Sequence, residues 1–210
     1  MTGHTENVQV EMAKVLYNMG ALKFGVFKLA SGKVSPYYVD LRIAPSFPDA
    51  FRQICDFYVQ GIINRVGVER FDRIAGIPLS GLPFASQVAY SLKKPFLYVR
   101  KGVKLHGRQR RVAGILISGD RVLLIDDLVT TGLTLRKAAE AVRAEGGVVN
   151  EAVALIDREE GGEEKLRRAG IQLKALLRIS ELAKILNEMD ALDDEGLETI
   201  LKQVKKKKAA

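Results

Sequence analysis

The stretch Val122 to Thr134 reads VLLIDDLVTTGLT. Val122, Leu123, Leu124 and Ile125 form a short apolar run of branched side chains, which predicts a buried parallel strand. Asp126 and Asp127 follow at its carboxyl end, the edge where open α/β sheets bind ligands. Thr130, Thr131, Gly132 and Thr134 come next. A helical pattern then starts, with Leu135, Ala138, Ala139 and Val142 on one face. A small, hydroxyl-bearing turn at a helix start presents free backbone N–H groups, which suit a phosphate. Two carboxylates beside such a cradle repel each other unless sugar hydroxyls or a metal ion stand between them. The segment therefore predicts a sugar phosphate as ligand. Asp pairs also occur in solvated turns, and Thr often caps a helix. It is the whole run, rather than the doublet, that carries the reading. Neither G-x-x-x-x-G-K-[ST] nor G-x-G-x-x-G is present, so a P-loop nucleotide hydrolase is not expected.

Outward from this segment, strand and helix patterns alternate. Arg73 to Ile77, Pro95 to Val99, Val148 to Ile156 and Leu173 to Ile179 read as strands. Pro48 to Val66, Gly81 to Leu92, Leu135 to Glu145 and Glu163 to Ala169 read as helices. Repeated strand–helix units predict an α/β fold with a mostly parallel sheet covered by helices. Val10 to Leu22 predicts an opening helix. Phe24 to Arg42 predicts a β-hairpin around Ser31-Gly32-Lys33. Final helices are expected from about Ser180 and about Glu195.

The chain has 210 residues, 47% of them hydrophobic, enough for one domain with a substantial core. Within that domain, residues 1–45 are expected to form an N-terminal hood and residues 180–210 the last helices with a basic tail. No apolar run approaches the roughly 20 residues needed to cross a bilayer. The first residues, MTGHTENVQVEM, lack the features of a signal peptide, and Cys55 is the only cysteine. These point to reducing cytosol and to Cys55 as a small core residue. The net charge is +8, and Lys205 to Lys208 supply four of those charges, expected at a solvated, frayed end. A polyanionic small substrate explains the remaining surplus as well as nucleic acid does. No second catalytic domain, such as a fused decarboxylase, is expected.

One interval breaks the alternation. Arg100 to Gly119 reads RKGVKLHGRQRRVAGILISG, with Gly102, Gly107, Gly114 and Gly119 as hinges. It carries Arg100, Lys101, Lys104, Arg108, Arg110 and Arg111, and no acid. A connection this long in a compact domain is commonly a lid or a disordered segment. Its cations repel one another and need an anion to order them. Ile115 to Ile117 is expected to return to the sheet as a brief strand.

Val122 to Thr134 resembles the 5-phosphoribosyl-1-pyrophosphate (PRPP) motif of the type I phosphoribosyltransferases. Arg100-Lys101, Lys104 and His106-Gly107 resemble the mobile catalytic loop of the orotate branch of that family. The hairpin FKLASGKVSPYYVDLR is similar to the same branch's N-terminal signature. The resemblance covers roughly Val10 to Ile179. It implies transfer of the phosphoribosyl group from PRPP to orotate, giving orotidine 5′-monophosphate and pyrophosphate in pyrimidine synthesis.

The resemblance also implies residue roles. Asp126 and Asp127 would hold the ribose hydroxyls. The PRPP segment would continue through Leu128, Val129, Thr130, Thr131, Gly132, Leu133 and Thr134, the last five at the 5′-phosphate. Arg100, Lys101, Lys104 and His106 would surround the departing pyrophosphate, with Lys101, Lys104, His106 and the two aspartates as catalytic groups. Fixed cations there lower the barrier most when water is excluded. Ser80, in the loop Gly76 to Gly81, would contribute a hydrogen bond where many relatives carry Lys. Lys28 would neutralise orotate, with Tyr37 or Tyr38 packing on its ring. Thr130 would also reach the base, and Arg158 would pair with the orotate carboxylate or, failing that, with Glu159 or Glu160 at the surface. Mg²⁺ would ride mainly on PRPP and pyrophosphate, because no clustered protein ligand set is evident. A homodimer with the site shared across subunits is implied by resemblance alone. Two alternatives stay open: a phosphoribosyltransferase for another base, and a non-catalytic PRPP sensor that binds RNA.

Overall fold

The computed structural model describes residues 2–28, 32, 34–100 and 110–208. The chain opens with α1 (Thr2–Asn18) and a hairpin of β1 (Leu22–Lys28) and β2 (Val34–Val39). Leu22 faces Val39 and Phe24 faces Tyr37 across that antiparallel pair. Then come α2 (Pro48–Arg65), β3 (Arg73–Gly76), α3 (Gly81–Ser91), β4 (Phe96–Val99) and β5 (Val112–Ala113). β6 (Val122–Val129), α4 (Leu133–Ala144), β7 (Glu151–Asp157), α5 (Gly162–Arg168) and β8 (Gln172–Arg178) continue the alternation. α6 (Ile179–Glu188) and α7 (Asp194–Lys208) end it.

The main sheet has the order β5-β4-β3-β6-β7-β8. All its pairings are parallel except β4 with β5. Parallel strands need helices on both faces, and their residues are buried throughout. β7 meets this fully: every residue from Glu151 to Asp157 is buried. Side-chain alternation divides the core in two. Leu123 and Ile125 of β6 pack with Met12 and Leu16 of α1, Tyr58 and Ile62 of α2, and Leu182 and Leu186 of α6. Val122 and Leu124 pack on the other side with Leu135, Ala138 and Val142 of α4 and Leu166 of α5. Cys55 lies in the first cluster, where burial pushes its thiol up to about 12. Among the described residues, no helix is long and apolar enough to cross a membrane.

Several sequence-based boundaries shift. The opening helix stops at Asn18 rather than Leu22, because Leu22 is already paired with Val39 in the hairpin. β6, expected over Val122 to Asp126, continues to Val129, since Leu128 and Val129 pair with Ile156 and Asp157 of β7. The two aspartates therefore lie inside the strand, in its carboxyl half. Val148 makes only an isolated bridge with Arg121, and β7 proper starts at Glu151. The return strand is Val112–Ala113, pinned to Tyr98 and Val99, while Ile115 and Ile117 are exposed. The lysine run is not frayed: α7 extends through Lys208, and Lys205 and Lys206 point to solvent. Ser31 and Lys33 of the hairpin turn lie outside the described residues.

Candidate active site

Strand order places the site. β3 lies between β4 and β6, and the chain leaves it through α3 toward β4. It leaves β6 through α4 in the opposite direction, toward β7. The carboxyl ends of β3 and β6 thus flank the switch point of the sheet, where α/β folds open a ligand crevice. A cavity of about 430 Å³ fills this crevice. One wall is Ile77, Pro78 and Ser80, from the loop after β3. A second is the continuous run Asp126 to Leu135. A third is Tyr38 to Arg42, descending from β2.

Asp126 and Asp127 are only 8% and 6% exposed, so solvent screens them little. Their backbone is fixed from two sides. The Tyr58 hydroxyl donates to the Asp126 carbonyl at 2.7 Å, and the Asp127 N–H donates to Asp126 Oδ1 at 3.0 Å. Burial, reinforced by Asp127 and Asp126, holds the Tyr58 phenol well above its ordinary value, so it remains a donor. After the strand, Gly132 adopts φ +71°, a left-handed turn that costs other residues about 1–2 kcal/mol. α4 begins at the next residue with no side-chain cap on Gly132. The N–H groups of its first turn consequently open onto the cavity beside Thr130, Thr131 and Thr134.

The third wall carries a polar cluster. Arg42 donates through Nε to Asp40 Oδ1 at 2.7 Å and through Nη2 to Asp40 Oδ2 at 2.8 Å. The same Nη2 donates to the Tyr38 hydroxyl at 2.9 Å. The Arg42 hydrogen bond holds the Asp40 carboxyl below its usual range, and Asp40 in turn raises the guanidinium. Asp127 also favours the Arg42 charge. The side chain is 66% exposed, so the pair adds little stability. Its effect is to fix Tyr38 at the cavity rim.

Two buried carboxylates, a bare helix start and an aromatic rim in one crevice can hold a phosphorylated sugar next to a planar partner. The comparisons agree. Residues 49–174 match the phosphoribosyl transferase domain family. The orotate phosphoribosyltransferase of Cenarchaeum symbiosum is 45% identical over 172 residues, 82% of this chain and 86% of that protein. The chain belongs to the orotate phosphoribosyltransferases. The crystal structure of that enzyme from Aeropyrum pernix superposes with a TM-score of 0.72 at 32% identity, covering 85% of this chain and 99% of the other. The UMP synthase of Leishmania donovani gives a TM-score of 0.83 at 32% identity, covering 94% of this chain and 42% of the other.

Of the positions singled out in the sequence, this orotate phosphoribosyltransferase fold brings Ser80, Tyr38, Asp126, Asp127, Leu128, Val129, Thr130, Thr131, Gly132, Leu133 and Thr134 around one cavity. Arg100 lines a smaller neighbouring cavity. Lys101, Lys104 and His106 lie outside the described residues. Lys28, Tyr37 and Arg158 do not line the main cavity. Lys28 is exposed at the end of β1. Tyr37 is buried, with the Arg158 guanidinium 4.9 Å from its ring centre. Arg158 donates to the Tyr37 hydroxyl at 3.3 Å and to Ser35 Oγ at 3.4 Å, and pairs with Glu160 at 3.2 Å. Pairing with Glu160 does occur, but in the interior: Arg158 is 7% exposed.

Asp40 and Arg42 were not singled out from the sequence. The Asp-Leu-Arg that ends the hairpin motif is the signal that marks them. Among the described residues, no group of three or more His, Cys, Asp or Glu converges as a metal site. Asp126 and Asp127 supply two hard oxygen donors facing the cavity, compatible with a Mg²⁺ that keeps other ligands from phosphate and water.

Proposed function

We propose that the cavity between β3 and β6 transfers the 5-phosphoribosyl group from PRPP to orotate by direct displacement at C1′. Orotate N1 forms the new bond to C1′, and its proton passes to the departing pyrophosphate or to water. The C1′–O bond breaks, and its electron pair leaves with pyrophosphate. The observation that carries this reading is the continuity of Asp126, Asp127 and the Thr130–Thr134 turn along one wall of one cavity. The turn takes the 5′-phosphate on its N–H groups and hydroxyls. Asp126 and Asp127 accept hydrogen bonds from the ribose 2′- and 3′-hydroxyls, holding the ring while positive charge develops at C1′. Ser80 donates toward the pyrophosphate side, and Arg100, Lys101, Lys104 and His106 supply the opposing positive charge. Removing one such donor slows turnover typically about 100- to 1000-fold.

Tyr38 is the aromatic face available to the pyrimidine, and Thr130 lies within the same cavity. Lys28 and Arg158 serve the anionic base in this reading. Arg158 carries the planar guanidinium that suits a carboxylate, and supplying it to orotate would require it to exchange its partner Glu160. Mg²⁺ bound to the diphosphate would neutralise its charge, with Asp126 and Asp127 the protein groups that would face it. A second copy of the chain completes the enzyme as a homodimer in the cytoplasm. Sedimentation equilibrium tests the assembly. The decisive assay mixes the protein with orotate, PRPP and Mg²⁺ and follows the loss of orotate absorbance. No loss, with PRPP intact, would defeat the proposal.

A further inference from the structure

A second cavity, of about 230 Å³, adjoins the first, and the two share Ile77, Pro78, Leu133 and Thr134 as a common wall. Its charged lining is Arg100, Arg111 and Lys137, and no carboxylate lines it among the described residues. Three like charges around one small space repel each other unless an anion sits between them. Arg111 is the most informative of the three. Its Nε is buried and has no hydrogen-bond partner among the described residues. Its Nη2 donates to the Arg100 carbonyl at a long 3.5 Å, its one partner among the described residues. A buried guanidinium donor left unmade is costly and marks a missing acceptor.

The arginine is nevertheless held firmly. The Glu145 carboxylate accepts from the Arg111 N–H at 2.7 Å and from the Val112 N–H at 2.9 Å. Arg100 N–H donates to the Arg111 carbonyl at 2.8 Å. The backbone is thus anchored while Nε, among the described residues, has no acceptor. Lys137 reaches the same space from the second turn of α4, the helix whose N-terminus bounds both cavities. The positive end of that helix adds to the field.

We propose that Arg111 and Lys137, with Arg100, form an anion seat that receives a phosphoryl group. This rests on the reading of the main cavity as a PRPP site. The group is either the distal phosphate of the diphosphate, which reaches across the shared wall, or a free inorganic phosphate held beside it. Arg111 and Lys137 are then binding residues that select for a diphosphorylated donor, beyond the loop cations.

The test uses Arg111→Gln and Lys137→Gln in the full-length protein, with Arg111→Lys as a charge-keeping control. Calorimetry with pyrophosphate, PRPP and inorganic phosphate, each with Mg²⁺, gives affinities. Steady-state kinetics gives KM for each substrate. If the seat holds the distal phosphate, both Gln variants weaken pyrophosphate and PRPP about 10- to 100-fold. KM for orotate then stays unchanged, and Arg111→Lys recovers part of the loss. If it holds free phosphate, the variants lose phosphate binding measured on PRPP-saturated protein and keep their KM for PRPP. Affinities for all three anions within twofold of the parent in both Gln variants overturn the proposal. Lys137 is exposed, so its substitution keeps the test readable even if Arg111→Gln disturbs the fold. A parent protein that consumes no orotate would defeat the proposed reaction, while the phosphate and pyrophosphate titrations would still decide the seat.

Discussion

The Tyr58 hydroxyl donates a 2.7 Å hydrogen bond to the backbone carbonyl of Asp126, across the interface between α2 and β6. It ties the first carboxylate of the site to a helix that contributes no residue to the cavity lining. Tyr58→Phe removes the donor and keeps the ring against Phe84. The expected loss is about 1 kcal/mol of stability, or roughly 2–4 °C in Tm for a chain of this size. Turnover should fall with little change in KM, because the hydroxyl touches no substrate. An unchanged Tm together with unchanged kcat would remove the positioning role.

Asp127→Asn keeps the shape of the side chain and deletes its charge. Turnover should drop about 100-fold or more, as typical losses of transition-state electrostatics do, while the circular dichroism melt stays close to that of the parent. Lys104→Ala should do the same from the loop. Parent-like steady-state kinetics in either variant would strip that residue of its role.

Gly162 packs under the Thr130–Thr134 turn. A Cβ there would lie 2.6 Å from Val129 Cγ1, 2.7 Å from the Thr130 carbonyl oxygen and 3.1 Å from the Gly132 nitrogen. The backbone atoms among these have no room to yield. Gly162→Ala should cost about 1–3 kcal/mol through overpacking and raise KM for PRPP by displacing Thr130. A stable variant with parent-like KM for PRPP would argue against the turn as the phosphate cradle.

Asp157, at the end of β7, is pushed up to about 6 by burial, against a backbone hydrogen bond from Glu159 that lowers it. The unfolded carboxyl titrates near its ordinary 3.8. Between those values the folded chain holds the extra proton, so stability declines as pH rises from about 4 to 6 and stays reduced above. Asp157→Asn should therefore raise Tm at pH 7 by several degrees (on the order of 1 kcal/mol, about 2–4 °C) and much less at pH 4. An equal shift at both pH values would show that charge burial is not the cause.

The central part of this architecture is written locally. The apolar run of β6, the aspartate pair and the stripe on α4 have short periods, and each falls where its pattern says. What the sequence left open depends on contacts between distant residues. β6 gains its last three residues from pairing with β7, and β5 sits at Val112–Ala113 because Tyr98 and Val99 are there to bond. Tyr37 and Tyr38 look equivalent in the sequence. Strand alternation sends one beneath Arg158 and the other to the cavity rim. The placement of Arg111 depends on Glu145, which follows the far end of α4.

The bond from Arg100 to Arg111 brings both feet of the basic segment to a single point at the sheet edge. The β4–β5 pairing beside it involves neither β6 nor β7, the strands on either side of the carboxylates' pairing. Doubling the length of a connection closed in this way costs only about 0.6 kcal/mol in closure entropy. Lengthening the chain between Arg100 and Arg111 should therefore cost the scaffold little stability, because the strands beneath are closed without it.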